Sequence, residues 1–250
     1  MRRVKYERAV AVKRFAAHER EQCEVEAAVA RLAATRGLGP RVLAASETEL
    51  RTERIGKPYR GELHALAHAL AKLHALPPPP LAAYRHVPQS FVRYARAANA
   101  PWLLPHVRGL EQGEEAPRVL CHGDIKASNL RVVRGRVVFI DFEAARLADP
   151  AWELANAAIG LMLSPREEDE LVTTYCLHAR RDPVTTFIRF HAWRLIGLVY
   201  FADEVPQRAR LGQSMRARVP VLRRRARTVR QLLRSEGRSE SAACSQLRSP

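Results

Sequence analysis

The chain of 250 residues has only four cysteines, Cys23, Cys121, Cys176 and Cys244, widely spaced and with no CxxC pair among them. That pattern argues against a secreted disulfide framework and against a thiolate zinc site, and it fits a reduced, cytoplasmic protein best. Long hydrophobic runs are missing too: the longest, residues 157–163 and 195–202, fall well short of the ~20 residues that a membrane span requires. The N-terminal MRRVKYERAV carries basic residues with no apolar run behind them, so neither an export signal nor a membrane span is expected. Glycine is sparse, and none stands ahead of Lys13. Acids are sparse as well, 26 against 42 Lys+Arg, for a formal charge of +16. What is present, 47% hydrophobic and 27% charged residues, is the composition of a folded protein large enough to bury a core in one large domain or two lobes.

The charge is unevenly placed. Residues 205–250 hold 12 Arg and two acids, a net of +10, which leaves +6 on the first 204 residues. Within that end, VLRRRARTVRQLLR (221–234) spaces its apolar residues like one face of a helix and reads as a basic amphipathic helix. Two readings stand: a terminal helix that packs its Leu/Val stripe and leaves arginines in water, or a segment, 208–234, that contacts nucleic acid or another acidic partner. No aromatic residue interleaves with these arginines to stack bases, which favours the first. From Ser235 onward the residues are small, polar and patternless, as in a disordered tail.

Along the rest of the chain the hydrophobic period changes repeatedly. Residues 3–15 alternate as a strand or hairpin does, and 19–36 switch to helical spacing with Val25, Ala28, Val29 and Leu32 in one stripe and Gly37 as a stop. Residues 41–45 and 48–54 suggest two short strands, with Gly56, Lys57 and Pro58 as a connection. Leu63, Leu66, Leu70 and Leu73 mark a helix over 61–76 that the proline run 77–80 ends, and 84–99 reads as another. Two apolar runs, 130–133 and 137–140, flank Arg134 and Gly135 as a β-hairpin. Three or four helices fill the chain to Arg234. One begins at Ser164, Pro165 and Glu167, so the acidic run 167–170 is better explained as helix-start chemistry than as a cation site.

The segment 118–155 has a different texture. HGDIKASN (122–129) precedes the hairpin and IDFE (140–143) follows its second strand, so Asp124, Asn129 and Asp141 can converge from two loop ends on one rigid element. Phosphoryl transfer from ATP needs a carboxylate that takes the proton of the attacking hydroxyl, and hard oxygen ligands for a divalent metal at the phosphates. These residue types supply both.

HGDIKASN resembles the catalytic loop of the protein-kinase-like superfamily, in which an Asn follows the catalytic Asp by five residues. The Gly after His122, the IDFE in place of a DFG triplet, DPAWELA at 149–155 and the LAHALAKLHAL helix resemble the aminoglycoside phosphotransferase and choline kinase branch. The resemblance spans roughly residues 8–204 and is strongest over 118–155. It implies an α+β, bilobal fold with an abbreviated β-rich N-lobe over 1–56, a helical C-lobe over 57–234 carrying the catalytic loop and hairpin at 118–143, and a tail over 235–250. It implies Asp124 as catalytic base, Asn129 and Asp141 as Mg2+ ligands, and His122 as a structural residue of the loop. Lys126 stands where a lysine near the γ-phosphate is found in serine/threonine kinases, with a plain surface lysine as the alternative. Lys13 matches the strand lysine at the α- and β-phosphates, and Glu26 the helix acid that pairs with it, although Glu21 and Glu24 lie close enough to compete for that role. Taken without the resemblance, Lys13 reads as one solvent-facing strand residue.

Two departures stand out. The family usually has two strands and a glycine-rich phosphate loop before the lysine strand, whereas only 12 residues precede Lys13. Glu153 stands where the family commonly has Asp, and that acid is expected to brace the catalytic loop. The expected activity is an ATP- and Mg2+-dependent phosphotransferase acting on a hydroxyl of a small molecule, with adenine near residues 50–58 and the acceptor over 84–116 and 160–204. Residues 81–118 hold five Arg and three Glu, which does not favour a cationic aminoglycoside. The alternatives are a protein kinase and a catalytically weak, kinase-like binding module. His64 and His68 lie one helical turn apart and are read as surface or half-buried histidines, and Cys121 as a buried small hydrophobe.

Overall fold

The computed structural model describes residues 4–7, 9–80 and 118–208. The expected helix at 84–99, the basic segment 221–234 and the tail lie outside the described residues. Those described residues that precede Leu195 belong to one compact unit.

The alternating N-terminal segment forms a hairpin of β1 (Val4–Glu7) and β2 (Val10–Arg14), in register Val4↔Lys13 to Glu7↔Val10. β3 (Val42–Ala45) and β4 (Glu49–Glu53) complete an antiparallel sheet of order β1-β2-β4-β3. Lys13 pairs with Leu50, so Lys13, Phe15 and Leu50 share a face of the sheet. α1 (Arg20–Thr35) packs on that face, where Phe15, Cys23, Ala27 and Leu50 form one buried cluster. The buried stripe of α1 is broader than its sequence spacing suggests: Cys23, Val25, Glu26, Ala27, Val29, Ala30 and Ala33 are inside, while Ala28 and Leu32 are only half-buried. The helix is covered on two sides, by the sheet and by the turn at 142–144, and its small alanines let the turn approach. Gly37 ends the helix in a left-handed conformation, after which the Leu38 amide bonds back to Ala33.

The connection after β4 departs from expectation. Lys57–Pro58 forms a two-residue strand, β5, antiparallel to β7 (Leu130–Val133), which itself pairs with β8 (Arg136–Phe139). Gly56 makes that approach possible, because a Cβ there would stand 2.9 Å from the Val132 carbonyl oxygen. Arg134 and Gly135 both have positive φ, as a tight two-residue hairpin turn requires. A third, two-stranded sheet joins β6 (Val119–Cys121) to β9 (Arg146–Ala148).

α2 (Leu63–His74) buries its leucine stripe partly against α4 (Pro165–Ala179). The Ser164 cap forms as a full capping box with Glu167, an arrangement worth about 1 kcal/mol. In the same acidic run, Glu168 turns inward instead and accepts from Arg194 at 2.6 Å. α3 (Pro150–Leu161) begins with Asp149 as its cap, and the same carboxylate accepts from Arg189 and Trp193 of α5 (Pro183–Arg208). Among the described residues no helix is long and apolar enough to cross a membrane.

Candidate active site

Four pieces of chain meet at the site. β2 carries Lys13, α1 carries Glu26, the loop between β6 and β7 carries residues 122–129, and the segment after β8 carries Asp141 and Glu143. Lys13 is only 8% exposed. Its Nζ donates to Glu26 Oε2 at 2.7 Å, bonds Asp141, and lies 2.6 Å from Glu143 Oε2. Packing decides among the neighbouring acids of α1, because Glu21 and Glu24 face outward and Glu26 faces in. Asp141 adopts a left-handed backbone conformation, φ 69° and ψ 63°, at the point where the chain leaves β8 for the turn.

The electrostatics of this cluster are unbalanced. The ligating oxygens of Glu26, Asp141 and Glu143 lie within 4.8 Å of one another around a single ammonium. Burial pushes the Glu26 carboxyl up to about 7, against the pull of Lys13 and with the help of Asp141. Burial would lower the Lys13 ammonium, but Glu26 and Asp141 outweigh it and raise that group above its ordinary range. Excess negative charge from hard oxygen donors is what a divalent cation such as Mg2+ requires, so the donor set fits that ion.

The loop 122–129 is held from inside. Glu153 is 0% exposed, and its Oε2 accepts from the His122 amide at 2.9 Å and from His74 Nε2 at 3.0 Å, while Oε1 accepts from the Gly123 amide at 2.6 Å. Burial alone would raise its pKa, but the His74 bond, nearby His122 and the Gly123 amide outweigh it and hold it below the usual carboxylate range. On the other side of the ring, His74 Nδ1 is hydrogen-bonded to the Tyr175 hydroxyl at 2.8 Å. His122 Nε2 donates to the Ile140 carbonyl at 2.9 Å, which ties the loop to the residue before Asp141. Gly123 has φ +85°, and a Cβ there would collide with the Ala144 carbonyl; one at Gly160 of α3 would collide with the Ile125 carbonyl. Two glycines therefore let backbone press against the loop from both sides.

Asn129 Nδ2 donates to the Asp124 carbonyl at 2.9 Å and to Asp124 Oδ2 at 3.0 Å, while its Oδ1 accepts from the Ser128 hydroxyl at 3.4 Å. Lys126 Nζ lies 2.5 Å from Asp124 Oδ2, with both side chains partly open to solvent. The structure thus groups Asp124, Lys126 and Asn129 on one loop, and joins buried Lys13 and Glu26 to half-buried Asp141 in a second cluster. Sequence reasoning did not single out Glu143, His74, Tyr175 or Gly160. His74 carried a signal, since a histidine on the core-facing stripe of a helix must find a buried partner. His74, Cys121 and Glu153 also bring ligand atoms within 4.8 Å, but the histidine and glutamate are engaged in the brace and all three are sealed from solvent. Burial raises the Cys121 thiol well above its ordinary pKa, so it stays a thiol.

Structures with this fold are known. A choline/ethanolamine kinase family protein from Mesorhizobium loti superposes with a TM-score of 0.71 at 16% identity, over 91% of this chain and 84% of that one. Choline kinase LicA from Streptococcus pneumoniae gives 0.63 at 17% identity, over 91% and 88%. The streptomycin-ATP-APH(2")-IIa ternary complex gives 0.57 at 15%, over 90% and 91%. No functionally curated protein matches the sequence significantly. The sequence model of the phosphotransferase enzyme family matches residues 2–191, more than half of the chain. With its α+β, protein-kinase-like architecture, the chain belongs to the phosphotransferase enzyme family.

Proposed function

We propose that this phosphotransferase moves the γ-phosphoryl group of ATP to a hydroxyl of a small molecule, with Mg2+ as the metal, in the cytoplasm. The observation that carries the reading is the convergence of Asp124 and Asn129 on one internally braced loop, beside a cluster in which three carboxylates crowd Lys13. Asp124 takes the proton of the acceptor hydroxyl as its oxygen attacks the γ-phosphorus and the bond to the β,γ-bridging oxygen breaks, with ADP leaving. Asn129 and Asp141 would hold Mg2+, with Glu143 as a further oxygen donor. When bound, the ion neutralises phosphate oxygens and draws charge from the breaking bond. Lys13, kept charged by its neighbours and positioned by Glu26, binds the α- and β-phosphates. Lys126, whose Nζ lies 2.5 Å from the base, binds the γ-phosphate. The three described cysteines are free and buried, which supports a reducing compartment.

The acceptor is a neutral or anionic hydroxyl compound, a reading supported by the arginine excess in residues 81–118, of which 81–117 lie outside the described residues. The test is ADP release in Mg2+ and ATP over a panel of sugars, amino alcohols and aminoglycosides. The expected result is stimulation by a neutral or anionic member and none after Asp124→Ala. Stimulation by aminoglycosides alone would overturn the acceptor class, and turnover unaffected by Asp124→Ala would overturn the role of the base.

A further inference from the structure

On α2, the face opposite the leucine stripe carries His64, His68 and Lys72, spaced four residues apart and all exposed. They form one wall of a hollow of about 260 Å³ that also takes in Arg36 and His178. A second hollow, of about 510 Å³, adjoins it and is lined by Arg31, Arg41 and Glu53; the two share Gly37 and Arg136. None of the residues assigned to catalysis lines either hollow.

The charge here is one-sided. Five permanent cations, Arg31, Arg36, Arg41, Lys72 and Arg136, face one acid, Glu53, which lies 4.0 Å from Arg41 Nε. The C-terminus of α1 contributes only about half an elementary charge of negative potential, too little to compensate. His64 is satisfied by Glu170 at 3.3 Å, but His68 stacks on His178 with ring centroids 4.4 Å apart. Burial first, then Lys72 and His178, hold the His68 imidazole below its ordinary range, as expected where positive charge is uncompensated. Guanidinium groups suit phosphate oxygens through paired N–H donors, and linked hollows with cations in each suit an anion with more than one phosphate group. The lining contains no Phe, Tyr or Trp on which a base could stack, which argues against a nucleic-acid strand.

We propose that this groove is a second ligand site, separate from the nucleotide cleft, for a small anion carrying two or more phosphate groups. Arg36, Lys72 and Arg136 are its principal contacts, with the stacked rings of His68 and His178 beside them. Its position gives it leverage on the active site. α1 carries both Arg31 and Glu26, and Arg136 opens the strand that leads to Asp141, so the groove touches both elements that meet at Lys13.

The test titrates the full-length chain with sodium tripolyphosphate, in EDTA and at two salt concentrations, by calorimetry and by imidazole NMR of the histidines. The expected result is binding that weakens with salt, shifts of the His68 and His178 resonances, at least tenfold weaker binding in Arg36→Gln/Arg136→Gln, and unchanged binding in Lys13→Met. Three results would overturn the proposal. One is tripolyphosphate binding that leaves His68 and His178 unmoved, which would assign it to the arginine-rich end of the chain. Another is binding lost in Lys13→Met but kept in the double variant. The third is a single-stranded oligonucleotide that shifts the same histidines at lower concentration than tripolyphosphate does.

Discussion

Glu26 and Glu153 are both almost wholly inside the protein, at 3% and 0% exposed, yet their carboxyl groups are pushed in opposite directions. Glu153 has a donor for each lone pair that matters: two backbone amides and His74. Glu26 shares a single ammonium with Asp141 and Glu143, and its carboxyl rises. The difference separates scaffold from working site. A buried charge with all its partners in place stabilises the geometry around it, whereas a half-buried cluster with more acids than cations has room for a further positive charge.

Breaking the satisfied side should cost the most. Glu153→Ala strands the amides of His122 and Gly123 together with His74 in the interior, and urea unfolding should show a loss of about 3–5 kcal/mol. Glu153→Asp, one methylene shorter, should recover more than half of that. A variant as stable as wild type would mean that the loop needs no brace. On the unbalanced side, Lys13→Met should reduce turnover by about a thousandfold through lost phosphate positioning, while unfolding shows a far smaller change than Glu153→Ala does. Equal losses of stability in the two variants would erase the distinction.

The backbone contacts of the loop offer a milder perturbation. Gly160→Ala places a methyl group against the Ile125 carbonyl and should shift Asp124 enough to lower kcat by ten- to a hundredfold, with circular dichroism unchanged. Unaltered kcat would show that α3 can move aside at no cost.

The smallest expected effect is a pH dependence of opposite sign at the two glutamates. The folded chain holds the Glu26 proton more tightly than the unfolded chain does, up to about pH 7 against an ordinary 4.5, so this group favours folding fully at low pH and the contribution is lost as pH rises through 7. Glu153, with its pKa lowered, contributes stability above the ordinary carboxylate range, lost as pH falls through its folded value. Unfolding at pH 5 and pH 8 should therefore show wild type losing on the order of 1 kcal/mol more than Glu26→Gln as pH rises. A Glu26→Gln profile that parallels wild type would place the Glu26 pKa at its ordinary value.

How much of this was legible beforehand follows the range of the interactions. The 130–139 hairpin, the Ser164 capping box and the end of α1 at Gly37 are local devices, written in a few adjacent residues. β5 could not be read, because two residues become a strand only when β7, more than seventy positions later, offers an edge. The inward turn of Glu168 depends in the same way on Arg194 of another helix. The site follows the same rule. The spacing of Asp124 and Asn129 is visible in one short string, but the choice among Glu21, Glu24 and Glu26 is made by packing of α1 on the sheet, and the His74–Glu153 pair spans 79 positions. No pattern in a single sequence encodes that pairing.

The central claim is that the braced loop presents Asp124 as a base for transfer to a hydroxyl. The most direct measurement is transfer of the labelled γ-phosphoryl group of ATP to the best small-molecule acceptor, compared between wild type and Asp124→Asn with Mg2+-ATP binding followed in parallel. The account predicts that Asp124→Asn binds Mg2+-ATP as wild type does and loses acceptor-dependent transfer by at least about a thousandfold. Transfer that persists in Asp124→Asn, or wild type that binds Mg2+-ATP and passes its phosphoryl group to no hydroxyl compound, would contradict it.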